Sequence, residues 1–202
     1  MARHALPAHT RLMHHRHPKT TQPIGRTSAA FTVLEMLTTL GVLAILLVIG
    51  VPTLTEYGLR QRMNASINAL HTDLTLARSE AIQLNTQVVA CPGNRATGCL
   101  DSNDWSQGWI IFSDLNGDKQ LQALENIHRA EPALEQLLVL STPGRRLIRF
   151  YPNGSAPGSN GSISFCDRRG PENARRLVIS TIGRIRREEA PALDPEDCPR
   201  PL

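Results

Sequence analysis

Aromatic residues make up only 4% of the chain, lysine occurs at two positions, and no two of the four cysteines are spaced C-x-x-C. The first scarcity limits the core to a modest one. The last disfavours a zinc site, as does the histidine distribution: only His71 and His128 lie beyond residue 30. G-x-S-x-G, a Gly-rich phosphate loop and H-E-x-x-H are all absent, and no spacing pairs two acids with a base. The sequence therefore offers no reason to expect a cofactor, a catalytic metal or an enzyme. It also shows no internal repeat and no base-reading element.

Acidic residues are missing from the first 30 positions, where Arg3, Arg11, Arg16, Lys19 and Arg26 stand alone. The formal net charge of +4 thus belongs to that extension; the rest of the chain is close to neutral. Within the rest, residues 53–140 are acidic overall. Residues 145–187 are rich in arginine, with only Asp167 and Glu172 against them. Such a run suits anion or nucleic-acid contact, or a solvated β surface; composition leaves both open.

Behind the basic extension comes "FTVLEMLTTLGVLAILLVIGVP", Phe31 to Pro52, apolar apart from Glu35 and a few threonines. Its length matches the roughly 20 residues a helix needs to cross a bilayer. The positive-inside rule keeps the extension in the cytoplasm and exports the chain beyond Pro52. An ordinary secretory signal has a shorter apolar core, cut on its far side. Here the apolar run continues into a helical pattern.

The stretch "A-FTVLEM" resembles the class III signal of type IV pilins and pseudopilins. The resemblance implies a leader of residues 1–30 cut between Ala30 and Phe31 by a prepilin peptidase, N-methylation of Phe31, and retention of the helix. Ala30 stands where the family usually has Gly, and Met13 is a second candidate start. Pro52 matches a proline common in these proteins. A charge at the bilayer centre costs about 2.5–3.5 kcal/mol on insertion scales. Glu35 avoids most of that by sitting near the helix start, where the dipole favours an anion. The resemblance implies that Glu35 pairs with the α-amine of a neighbouring subunit and sets the stagger of a filament. The alternative is a carboxylate that snorkels to the interface.

Leu59, Met63, Ile67, Leu70, Leu74, Ala77, Ala81 and Leu84 recur at helical period. One helix is therefore expected from Phe31 to about Leu84, with residues 31–52 in lipid and residues 53–85 on a globular domain. Pro52 is a candidate kink. A coiled coil is the alternative for the stripe, but it spans under four heptads. From Gln87 the period becomes two. Candidate strands are Gln87–Cys91, Gly108–Ser113, Asn126–Ala130, Leu137–Leu140, Leu147–Phe150, Ser162–Cys166, Arg175–Ser180 and Arg184–Arg187, separated by Gly-, Pro- and Asn-rich loops. The expected class is α+β, a long N-terminal helix on an antiparallel β domain of residues 86–202. The tail from Pro191 is expected to be irregular.

Cys91, Cys99, Cys166 and Cys198 form an even set in an exported domain, which favours disulfides. Three pairings exist. Cys91–Cys99, closing a Pro-Gly loop, with Cys166–Cys198, tying back the tail, is the preferred one. "DLNGDKQLQALE" puts Asp114, Asn116, Asp118 and Glu125 at spacings that partly imitate a calcium loop, but Lys119 occupies the position that needs Gly. A turn between strands is the better reading. Five histidines (His4, His9, His14, His15, His17) could bind metal, but they lie in the segment expected to be removed.

The stretch "ARRLVISTIGRIRRE" alternates as a strand, with Gly183 offering a turn; Arg184 and Arg186 then share one face and Ile185 the other. Arginine forks match phosphate oxygens. Together with "DWSQGWIIFSD" and the Cys spacing, this stretch resembles the FimT/GspH family of type IV minor pilins and type II secretion pseudopilins. The resemblance implies a pilin-like fold, other pilins as partners, and a single-pass anchor in the bacterial inner membrane with a periplasmic or extracellular domain. It also implies binding of double-stranded DNA for uptake through Gly183, Arg184, Arg186 and Arg187, with Arg175 and Arg176 extending the patch. Glu188 and Glu189 come directly after and oppose it. The rivals are a GspH-type pseudopilin with no DNA role and, well behind, a membrane-tethered hydrolase.

Overall fold

A computed structural model describes residues 31–189 and 198. The leader residues, Ala30 among them, and the tail from Pro191, apart from Cys198, lie outside the described residues. The chain divides into two compact units at Leu46/Leu47.

One helix, α1, spans Val33–Gln83 and remains helical through position 52. It starts where Thr32 Oγ1 accepts the Glu35 N–H at 3.2 Å, as an N-cap does. Its apolar residues from Val33 to Ile49 are all exposed, and by length and composition this stretch can cross a membrane. Further on, the apolar stripe expected from periodicity is buried: Leu59, Met63, Ile67, Leu70, Leu74, Ala77 and Ala81. Burying a side chain such as Leu70 or Leu74 contributes about 1.5–3 kcal/mol. Leu84 departs from the expectation. It lies just past the helix end and is exposed, so the stripe ends at Ala81.

Among the described residues nine antiparallel strands succeed the helix: β1 (Gln87–Asn94), β2 (Gly98–Cys99), β3 (Trp109–Asp114), β4 (Ile127–Glu131), β5 (Leu138–Ser141), β6 (Ile148–Phe150), β7 (Gly161–Cys166), β8 (Arg175–Ile179) and β9 (Ile185–Glu189). In one sheet β1 pairs with β2, β3 and β6, and β4 adds to β3; the other sheet runs β5-β7-β8-β9. Every expected strand is present, with shifted ends. Gly108 and Arg184 fall outside their strands, and Ser180 caps the turn after β8. The loop "PGNRATG" is partly strand, because Gly93 and Asn94 pair back on Cys99 and Gly98. Composition marked that segment as a turn, and it is one, built as a two-residue ladder tied by the Cys91–Cys99 disulfide.

The helix stripe packs with Val88, Ala90, Trp109, Ile111, Ile148 and Phe150 of the first sheet and with Val139, Ile163, Phe165, Leu177 and Ile179 of the second. The opposite face of the first sheet holds a smaller cluster of Val89, Cys91, Ile110 and Phe112. The alternation of strand side chains accounts for this division. A second disulfide, Cys166–Cys198, is buried beside Ala174 and ties the distal chain to β7.

Candidate functional site

The arginine-rich stretch forms the hairpin β8–β9 at the edge of the second sheet. Its turn is closed by Gly183 N–H donating to Ser180 O at 2.8 Å and Arg184 N–H donating to Ser180 Oγ at 3.0 Å. Gly183 has φ +76°, and a Cβ placed there would stand 2.0 Å from Gly154 O. Glycine is thus required by the turn and by the close approach of the Gly154 loop. Arg78 of α1 secures the same junction, donating from Nε to Gly154 O at 2.9 Å and from Nη2 to Ile182 O at 3.4 Å.

Strand alternation divides the six residues singled out from the sequence. Ile185 packs towards the core, so Arg187 shares its side and Arg186 points the other way. Arg175 and Arg187 line a cavity of about 510 Å³ with Gln61, Asn64 and Asn68 of α1. Arg176 lines that cavity too and also a second one of about 330 Å³ with Ser162 and Ser164, and among the described residues its buried Nε has no acceptor. The residues therefore form an edge with two faces rather than one flat patch. The acids close behind them are engaged: Arg186 pairs with Glu188 at 2.7 Å and Arg175 with Glu189 at 4.0 Å. Among the described residues, Arg184 and Arg187 are exposed and form no ion pair.

His71 of α1 faces this hairpin. Its imidazole is held below the ordinary value, first by burial and then by the Arg187 charge, against an opposing hydrogen bond to the Ile185 backbone. No sequence pattern signals this contact, because His71 and Arg187 lie far apart in the chain.

At the other end, Phe31 is 73% exposed, and Glu35 lies exposed in the first turn of α1. Among the described residues its carboxylate has no partner.

Two further polar arrangements have no signature in the sequence. Asp73, buried on α1, accepts from Trp109 Nε1 at 2.9 Å and pairs with Arg129 at 3.3 Å. Ser113 Oγ lies 2.8 Å from His128 Nε2, whose Nδ1 is 3.8 Å from Glu80. The second order of groups is that of a nucleophile, base and acid, but Ser113 is buried at 3% exposure. The arrangement instead links α1 to β3 and β4. The calcium-like loop also uses its carboxylates internally. Asp114 accepts the N–H groups of Gly117 and Lys119, and Glu125 those of Leu115 and Gln122. The Asp118 carboxyl is held below its usual range, mainly by the Gln120 N–H and then by Asn116.

No curated protein matches the sequence. Among solved structures, the type IV minor pilin FimU of Pseudomonas aeruginosa is similar at 23% identity and TM-score 0.51, covering 65% of this chain and 92% of that one. The minor pseudopilin EpsH from the type 2 secretion system of Vibrio cholerae is similar at 15% identity and TM-score 0.45, covering 63% and 96%. The first likeness shows a pilin-like fold: one long N-terminal helix followed by antiparallel sheets. The family model described as "Type II transport protein GspH" matches residues 66–183, from the buried half of α1 to the hairpin turn, and the chain belongs to that GspH family of pilins and pseudopilins.

Proposed function

We propose that the protein is a minor subunit of a type IV filament machine that captures DNA for uptake. In this reading residues 1–30 are a leader removed by a prepilin peptidase between Ala30 and Phe31, and Phe31 is then N-methylated. Residues 31–52 hold the chain in the inner membrane, with residues 53–85 and 86–202 in the periplasm, until the helix enters a filament of other pilins. Glu35 meets the α-amine of the next subunit there. The observation that carries the reading is the uncovered apolar head of α1, in which one unpartnered carboxylate lies a turn from Phe31. An apolar rod suits lipid first and other rods afterwards. Its lone acid suits a cation supplied by another chain.

DNA capture is assigned to the β8–β9 edge. Its support is the exposure of Arg184 and Arg187, which form no ion pair among the described residues. Guanidinium groups so placed contact phosphates without reading bases. The second reading, a GspH-type pseudopilin of type II secretion with no DNA role, is favoured by the engagement of Arg186 and Arg175 with Glu188 and Glu189. A salt titration of duplex binding separates the two. Arg184→Gln with Arg187→Gln flattens the salt slope by up to about two units if this edge holds phosphates. Unchanged binding removes the edge from the interface, and absence of binding in the wild type favours the secretion reading.

A further inference from the structure

We infer that a second basic site, a groove between the β5–β6 turn and the β6–β7 loop, binds the phosphate backbone of duplex DNA. The groove has a volume of about 550 Å³ and shares no lining residue with the β8–β9 edge. Segments remote in sequence bring four cations to it, Lys119, Arg145, Arg146 and Arg149, against the single acid Asp101. Asp101 pairs with Arg146, and among the described residues the other three cations form no ion pair.

The guanidinium groups are held in place. Arg145 donates from Nε to Asn160 O at 2.9 Å, which fixes the plane of its fork and leaves both terminal nitrogens unused. Its stem passes over Gly161, where a Cβ would stand 3.3 Å from Arg145 Cγ, so the glycine lets the side chain lie close to β7. Arg149 stacks on the Tyr151 ring at 4.8 Å and reaches Gln87 at 3.5 Å. A fork already positioned loses less freedom when it binds an anion. The Lys119 ammonium is exposed and bonds no described residue.

The groove's lining distinguishes duplex from single strand. It contains no aromatic ring among the described residues, since Tyr151 is taken up by Arg149. Single-strand binders stack bases on such rings, whereas sequence-independent duplex binding rests on phosphate contacts that need no ring. The inference rests on the DNA-capture reading for its ligand and uses none of the residues of the β8–β9 edge.

The test is fluorescence anisotropy of a labelled duplex with the full chain in detergent, across a range of salt. The forms compared are wild type, Arg145→Gln with Arg149→Gln, Lys119→Glu, Arg184→Gln with Arg187→Gln, and the combined quadruple variant. Lys119→Glu breaks no hydrogen bond of the fold, so it reports on charge even if the arginine variant folds poorly. The inference expects the groove arginine variant to lose about two units of salt slope, in both the wild-type and the edge-variant backgrounds. It also expects Lys119→Glu to weaken binding at low salt. Wild-type behaviour of both groove variants overturns it and leaves the β8–β9 edge standing. Loss confined to the groove variants supports it and removes the edge instead. A wild type that binds no duplex overturns it outright.

Discussion

The indole N–H of Trp109 donates to the Asp73 carboxylate at 2.9 Å, joining α1 to β3 inside the core, where Asp73 is 4% exposed and Trp109 1%. The other carboxylate oxygen faces Arg129 of β4 at 3.3 Å. Asp73→Ala leaves a buried N–H without an acceptor, an omission that costs about 1–3 kcal/mol. Asp73→Asn keeps an acceptor for the indole and gives up only the charge, so its loss is smaller. Urea unfolding of the β domain, followed by tryptophan fluorescence, checks the order of the two variants.

The family resemblance singles out Gly183 with Arg184 and Arg186 for DNA contact, yet its work is in the fold. With φ +76° and Gly154 O in the space of a Cβ, alanine there meets both a strained backbone and a steric clash. The backbone strain alone costs about 1–3 kcal/mol. Gly183→Ala therefore lowers the melting temperature, whereas Arg184→Gln, at an exposed turn position, leaves it within a degree or two of wild type. Thermal unfolding by circular dichroism checks the contrast.

The two disulfides close loops of different length, with separations of 8 and 32 residues. In the chain-entropy account the first is worth about 2–3 kcal/mol and the second about 3–4 kcal/mol. Replacing both Cys166 and Cys198 by Ser therefore destabilises more than replacing both Cys91 and Cys99. Denaturant midpoints of the two double variants give the comparison directly.

His71 makes stability depend on pH with a definite sign. Its folded-state value lies below the ordinary 6.5, so the unfolded chain binds the proton more readily. The contribution is fully present above about pH 6.5 and is lost as pH falls through the lower folded-state value. His71→Gln removes this part of the acid sensitivity, and Arg187→Gln reduces it by removing the charge that disfavours the imidazolium. Unfolding free energies between pH 7.5 and 5 check both slopes.

How much of the structure is readable from the chain depends on the range of the interaction. The period of Leu59 to Ala81 places the helix, and alternation places the strands, because each pattern repeats a local geometry. Leu84 misleads because periodicity carries no information on where the covering layer ends. The two-face division of the arginines comes from Ile185 packing inward, and alternation makes that legible. The pairing of Arg186 with Glu188 depends on side-chain rotamers, which no pattern encodes. Asp73 with Trp109, Ser113 with His128, and the Arg145 groove join residues through sheet order and loop closure. Topology brings those groups together, and residue spacing does not reveal topology.

Phe31 as a new chain terminus, with Glu35 one turn behind it, is the central claim. Intact-mass analysis of the protein from cells with an active prepilin peptidase tests this most directly. The predicted result is a mature chain that begins at Phe31 and carries one methyl group on its amine. A chain still continuous ahead of Phe31 in those cells would contradict the claim.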